Sequence, residues 1–172
     1  IIKKQIDVSC ETLDKLAIYF DLLCFWQKKM NLVSNNSLLD AVTRHFLDSA
    51  QLYSFCRKFN GNKLDFGSGA GFPGAVLSIL GISKIFLIES RKNKCDFLTL
   101  LKKETNSNFN IINSRIENLQ FLDPSLIISR ALTSTKNLII LTINHMLKSE
   151  SIKTRKEARK KIPNLLFLKG KS

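Results

Sequence analysis

Long apolar runs are missing from this sequence: no stretch reaches the roughly 18 apolar residues of a membrane-spanning helix. The first residues carry no basic start followed by an apolar core and a small-residue cleavage site. No secretory leader is therefore expected, and the chain reads as soluble and cytoplasmic. Proline and glycine are scarce, 3 and 7 in 172 residues, which excludes collagen-like and low-complexity classes. The 4 cysteines, Cys10, Cys24, Cys56 and Cys95, include no Cys-x-x-Cys pair, so neither a disulfide framework nor a zinc site is expected. Acidic residues are few as well: 14 Asp and Glu stand against 27 Lys and Arg, a net charge of +13.

That imbalance has two readings. A polyanionic partner is one, because each phosphate neutralised by Lys or Arg releases a condensed counterion. A compositional drift toward Lys, Asn and Ile is the other, with much of the charge merely solvated; composition leaves both open. Apolar residues make up 44% of the chain, enough for a core. The length accommodates one domain with a helical extension but not two full domains.

Ser9 is placed to cap a helix in which Leu13, Leu16, Ala17, Phe20, Leu23 and Cys24 recur at helical spacing, a pattern reaching about Met30. The polar cluster Ser34-Asn35-Asn36-Ser37 breaks it, and a second helix carries Leu38, Val42, Phe46, Ala50 and Tyr53. Residues 1–60 thus predict a helical N-terminal portion. From Lys63 the texture changes. Strands are expected at Lys63–Phe66, Lys84–Ile88, Asn108–Ile112, Leu126–Ser129 and Leu165–Leu168, with helices at about Pro73–Leu80, Lys92–Glu104 and Thr135–Leu147. That alternation makes residues 61–172 an α/β core with a parallel sheet covered on both faces, the whole forming one compact domain. Lys153 to Lys161 holds six basic residues and one acid, either a solvated segment or a nucleic-acid contact.

The stretch Leu64-Asp65-Phe66-Gly67-Ser68-Gly69-Ala70-Gly71-Phe72-Pro73-Gly74 begins in a predicted strand and ends in a predicted helix. Its glycines fall where a tight turn lets a ligand approach the backbone. Pro73 suits the first turn of the helix, whose free N–H groups are expected to face the ligand. Glu89 ends the next strand, 22 positions beyond Gly67. An acid at that tip can accept hydrogen bonds from both ribose hydroxyls of an adenosine-containing cofactor, or simply favour the following helix. Two cofactor classes share this layout. Gly69-x-Gly71-x-x-Gly74 matches the dinucleotide fingerprint of an NAD-dependent oxidoreductase. The alternation of Gly67, Gly69 and Gly71 after Asp65, with no second mononucleotide-binding half downstream, suits S-adenosylmethionine instead.

From about Leu13 to Gly170 the sequence resembles the glucose-inhibited division protein B family, the guanine-N7 methyltransferases of bacterial small-subunit ribosomal RNA. The resemblance is carried by Trp26-Gln-Lys-Lys-Met-Asn31-Leu32-Val33-Ser34, Arg44-His45-Phe-Leu-Asp48-Ser49, the glycine loop with Phe72-Pro73-Gly74, Ile88-Glu89-Ser90 and Lys94. Further on come Ser114-Arg115-Ile116-Glu117, Ile128-Ser129-Arg130-Ala131 and Leu168-Lys169-Gly170. It implies a Rossmann-like S-adenosylmethionine-dependent methyltransferase fold behind an N-terminal helical portion. The implied substrate is 16S ribosomal RNA or the small ribosomal particle, and the enzyme is expected to be a monomer without metal or membrane. Positions matching the family's cofactor contacts are Gly67, Phe72, Ile116, Glu117 and Arg130; Gly69, Gly71 and Glu89 complete the expected set, with Glu89 on the ribose. Asp65 is expected to support the loop rather than react. Arg130 can hold the cofactor carboxylate or donate to purine O6, and the resemblance favours the cofactor side. Asn31, Ser34, Arg44, His45 and Lys169 are the candidate pocket or substrate residues, whereas His145, in a helix that reads as exposed, carries no role.

The implied chemistry suits what is missing. Guanine N7 already presents an in-plane lone pair, so no general base is needed and rate can come from positioning and electrostatics. The strand Leu126–Ser129 ends in Arg130, with neither the cysteine of a pyrimidine C5 methyltransferase nor the Asn- or Asp-Pro-Pro-aromatic clamp used on exocyclic amines. Relatives continue past Leu-Lys-Gly through a further helix and a closing pair of strands, and a sheet lacking that pair is expected to expose an edge. A rival from another class is a catalytically silent RNA-binding or assembly factor with the same fold.

Overall fold

Five short apolar runs become strands β1 (Asn62–Phe66), β2 (Ile85–Glu89), β3 (Phe109–Asn113), β4 (Pro124–Arg130) and β5 (Asn164–Leu168). The computed structural model describes residues 8–33, 42–130, 132–152, 154, 156–157 and 161–168, without the side chains of residues 42–44. All neighbouring strands run parallel, in the order β3-β2-β1-β4-β5. The winding reverses between β1 and β4, which leaves a crevice beyond their C-terminal ends. Every expected strand is present, its bounds shifted by one or two residues. The fold is therefore the α/β, Rossmann-like one that the alternation predicted.

Side chains alternate across the sheet. Leu64, Phe66, Ile88 and Ile127 face one apolar layer, closed by Ile116, Leu119 and the half-buried Leu141. Ile85, Leu87, Leu126 and Ile128 face the other, closed by Leu16, Tyr19, Leu23, Val76, Leu77, Phe97 and Leu98. Burial on both faces is why these strands read as continuous apolar runs.

Helix α1 (Cys10–Gln27) starts where expected, with the Ser9 hydroxyl accepting from Thr12 N–H at 3.2 Å. It stops three residues short of Met30, and the Gln27 side chain shows why. Its Oε1 accepts from Leu32 N–H and Val33 N–H at 2.9 and 3.0 Å, and its Nε2 donates to Val33 C=O at 2.8 Å, folding the chain back on the helix end. The second N-terminal helix is not regular. Leu38 lies outside the described residues, and Val42–Leu47 forms a π-helical turn that leads into the short α2 (Asp48–Ala50) and α3 (Tyr53–Cys56).

Helices α4 (Gly74–Ile79) and α5 (Lys92–Glu104) pack with α1 on one sheet face, and α6 (Thr135–Met146) lies with the 3-10 turn Ile116–Asn118 on the other. His145 of α6 corrects the sequence reading: it is buried at 1% exposure between Phe66 and Phe121, not solvent-facing. Burial drives its pKa down to about 4, and neither ring nitrogen has a partner among the described residues. In the basic run, Lys153, Arg155, Arg159 and Lys160 lie outside the described residues. No described helix is long and apolar enough to cross a membrane.

Candidate cofactor site

The glycine loop is bent by the backbone itself. Gly67 N–H and Ser68 N–H both reach Ile88 C=O, at 3.0 and 3.1 Å, so the chain leaving β1 folds over the end of β2. Gly67, Gly69 and Gly71 take φ values of 71°, 59° and 101°, which L side chains rarely adopt. Tyr19 of α1 fixes the loop's outer side, its hydroxyl donating to Ala70 C=O at 2.5 Å. From inside, Asp65 Oδ2 accepts the Gly74 N–H at 2.9 Å. Asp65 is fully buried and its Oδ1 has no partner among the described residues. Burial pushes its pKa up to about 7, opposed by the Gly74 N–H.

This arrangement corrects the expectation that the first N–H groups of α4 face a ligand. Gly74 N–H is taken by Asp65, and Ala75 N–H by Gly71 C=O at 2.8 Å. What does face the opening is Glu89. Its Oε2 accepts Gly69 N–H at 3.0 Å and its Oε1 accepts Arg91 N–H at 2.8 Å, which ties the glycine loop to the turn before α5. A carboxylate oxygen has two lone pairs, so each retains one for a hydroxyl donor.

A cavity of about 790 Å³ opens here, beyond the C-terminal ends of β1, β2 and β4. Of the expected cofactor residues, Gly67, Gly69, Glu89, Ile116, Glu117 and Arg130 line it. Phe72 lines an adjoining hollow of about 120 Å³ with His45, Val33 and Ala70; both spaces share Leu32, Gly67, Gly69 and Arg130. Gly71, expected among the cofactor contacts, lines neither. A Cβ there would fall 2.8 Å from the Tyr19 hydroxyl oxygen and 3.0 Å from Ala75 and Leu98, so packing demands that glycine. Asn31 is exposed and lines neither space. Ser34 and Lys169 lie outside the described residues, as does the side chain of Arg44.

Arg130, at the tip of β4, lines the same cavity as Glu89. Its Nη2 bonds to His45 Nδ1, its guanidinium sits 5.8 Å from the centre of the Phe72 ring, and its Nη1 is buried without a partner among the described residues. Burial lowers its pKa, against the pull of Asp48, Tyr19 and Asp65. Sequence reasoning missed several lining residues. Leu32 enters because Gln27 folds the chain back, and Leu132 and Ile140 stand 40% and 45% exposed along the rim, an exposure no spacing rule announces. Arg91, Lys94 and Arg115 add positive charge on the same side. Burial lowers the Lys94 pKa, and Glu89 opposes the shift. Among the described residues, no group of three or more His, Cys, Asp or Glu is placed to hold a metal ion.

Comparison with known proteins agrees with this fold. The magnesium protoporphyrin IX methyltransferase of Synechocystis, solved with bound SAM, superimposes over 83% of this chain and 73% of its own, with a TM-score of 0.54 at 11% identity, a likeness of fold. The ribosomal RNA small subunit methyltransferase G of Rickettsia prowazekii is 38% identical over 96% of this chain and 78% of its own. That of Paramagnetospirillum magneticum is 39% identical over 81% of this chain and 68% of its own. The family description rRNA small subunit methyltransferase G matches residues 12–163, and to that family the chain belongs.

Proposed function

We propose that this protein transfers a methyl group from S-adenosylmethionine to N7 of a guanine in small-subunit ribosomal RNA. One observation carries the reading: a glycine loop pinned to the Glu89 carboxylate heads an open cavity at the sheet's switch point, in a chain of the methyltransferase G family. The residues present fit the cofactor. Its volume lies within the range of small-molecule sites. Glu89 has spare lone pairs for a ribose diol, and Arg130, whose Nη1 has no partner among the described residues, is a cationic donor lining the same cavity. The open space above Gly69, where a Cβ would meet no atom closer than 3.9 Å, leaves the backbone accessible to a nucleoside.

When bound, S-adenosylmethionine supplies a sulfonium methyl that the guanine N7 lone pair can take by in-line attack. The residues of this chain then have positioning work and no proton to remove. Glu89 would hold the sugar beside Gly69, Ile116 and Glu117 would flank the base, and Arg130 would anchor the amino-acid end. The basic rim of Arg91, Lys94 and Arg115 lies where an RNA backbone would approach, and we place the enzyme in the cytoplasm, acting as a monomer.

Purified protein given cofactor labelled in its methyl group should put label on unmodified small-subunit particles or on naked 16S RNA, recovered as 7-methylguanine. Absence of label on both substrates would overturn the catalytic reading. Calorimetry that shows no S-adenosylmethionine uptake beside intact salt-dependent RNA binding would favour the silent assembly factor.

A further inference from the structure

The N-terminal portion sends the His45 side chain, like the Tyr19 hydroxyl, into the methyltransferase core. His45 sits on the π-helical turn Val42–Leu47, a rare backbone form that recurs at functional sites. It is 5% exposed, its ring lies nearly parallel to Phe72 at 4.9 Å and 26°, and its Nδ1 meets Arg130 Nη2. An arginine donates and never accepts, so Nδ1 must be the acceptor and the imidazole must be neutral, with its proton on Nε2. The guanidinium is thereby fixed between two supports, the Phe72 face and the His45 lone pair. Its Nη1 remains buried and unpartnered among the described residues, and Arg130 lines the hollow together with Leu32, Val33, Gly69 and Phe72.

We infer that His45 is a positioning residue, which locks Arg130 so that its guanidinium recognises the amino-acid carboxylate of the cofactor in that hollow. The inference rests on the proposed cofactor. It adds that the N-terminal portion determines how the tail of the cofactor is held, while Glu89 and Gly69 hold the nucleoside. A guanidinium free to rotate would surrender the orientation on which a charge-assisted hydrogen bond depends.

The test compares two ligands by calorimetry: S-adenosylhomocysteine, and 5′-methylthioadenosine, which shares the nucleoside thioether but lacks the amino-acid tail. His45→Phe keeps a ring on Phe72 and removes the acceptor; His45→Asn restores an acceptor oxygen. With His45→Phe, S-adenosylhomocysteine should weaken by about 10- to 100-fold, the weight of one hydrogen bond to a charged group, with 5′-methylthioadenosine unchanged and His45→Asn recovering most of the loss. With labelled cofactor, the His45→Phe defect should appear in KM more than in kcat. Equal weakening of both ligands would reduce His45 to a packing residue and overturn the inference, and so would no weakening of either. Failure of the wild-type protein to bind either ligand would instead overturn the cofactor reading and this inference with it.

Discussion

The buried carboxyl of Asp65 makes a quantitative demand on stability. Its pKa is raised from 3.8 to about 7 because the group is wholly desolvated, and among the described residues only its Oδ2 has a partner, the Gly74 N–H, to oppose the shift. Between those two values the folded protein keeps a proton that the unfolded chain has lost. Stability therefore falls as pH rises through the window, by about 1.4 kcal/mol per unit and about 4 kcal/mol in all. Asp65→Asn has nearly the same shape, offers an amide oxygen to the Gly74 N–H, and cannot ionise. The variant should lose that slope, so its advantage over the wild type should grow by about 2–3 kcal/mol between pH 5 and pH 7.5. Urea unfolding followed by circular dichroism, without added ligand, measures both proteins at each pH. The difference between them is the quantity to read, because His145 contributes with the opposite sign in an overlapping window. Parallel pH profiles for the two proteins would refute the reasoning.

Three further expectations follow from the same geometry. His145 has its pKa depressed from 6.5 to about 4, so its contribution is present above the upper value and lost as pH falls toward the lower one; His145→Leu should gain about 2 kcal/mol on the wild type between pH 7.5 and pH 4.5, after allowance for solvent screening, in denaturant titrations. Gly71→Ala combines a φ of 101° with a Cβ 2.8 Å from the Tyr19 oxygen and should cost more than 2 kcal/mol, whereas Gly69→Ala, with open space around its Cβ, should cost only about 1 kcal/mol, both read as shifts in unfolding midpoint. Glu89→Ala removes acceptors from the Gly69 and Arg91 N–H groups and from the ribose, so S-adenosylmethionine should bind about 1–3 kcal/mol more weakly by calorimetry; an unchanged dissociation constant would refute the strand-tip assignment.

The fold was legible because burial on both sheet faces imposes strong local patterns. Helix α5 carries the predicted bounds, Lys92–Glu104, since its apolar positions Cys95, Phe97, Leu98 and Leu101 are spaced by the helix period. The N-terminal portion was harder to read. There the deciding contacts are made by polar side chains with backbone: Gln27 ends α1 early by taking Leu32 and Val33, and the Ser49 hydroxyl donates to His45 C=O at 2.6 Å beside the π-turn. Such bonds leave no periodic trace. His145 misled for a related reason. A histidine late in a helix reads as exposed, and only the tertiary placement of Phe66 and Phe121 buries it.

The glycine fingerprint shows how a motif can be read correctly in place and wrongly in part. Gly69, Gly71 and Gly74 all satisfy the dinucleotide spacing, yet only Gly69 borders the cavity. At Gly74 a Cβ would overlap the Leu87 side chain and fall 2.7 Å from Asp65 Oδ2, so that glycine lets α4 pack against β2 and the strand acid reach the helix N–H. At Gly71 the obstacle is Tyr19, whose ring also stacks on Phe72 at 5.0 Å. Two of the three glycines thus answer to neighbours within the protein, and one of those neighbours belongs to the N-terminal helix. The spacing therefore could not separate NAD from S-adenosylmethionine, because most of it records how α1, β1 and α4 are packed. A carboxylate at the β2 tip is common to both classes as well, so it is the family to which the chain belongs that selects S-adenosylmethionine.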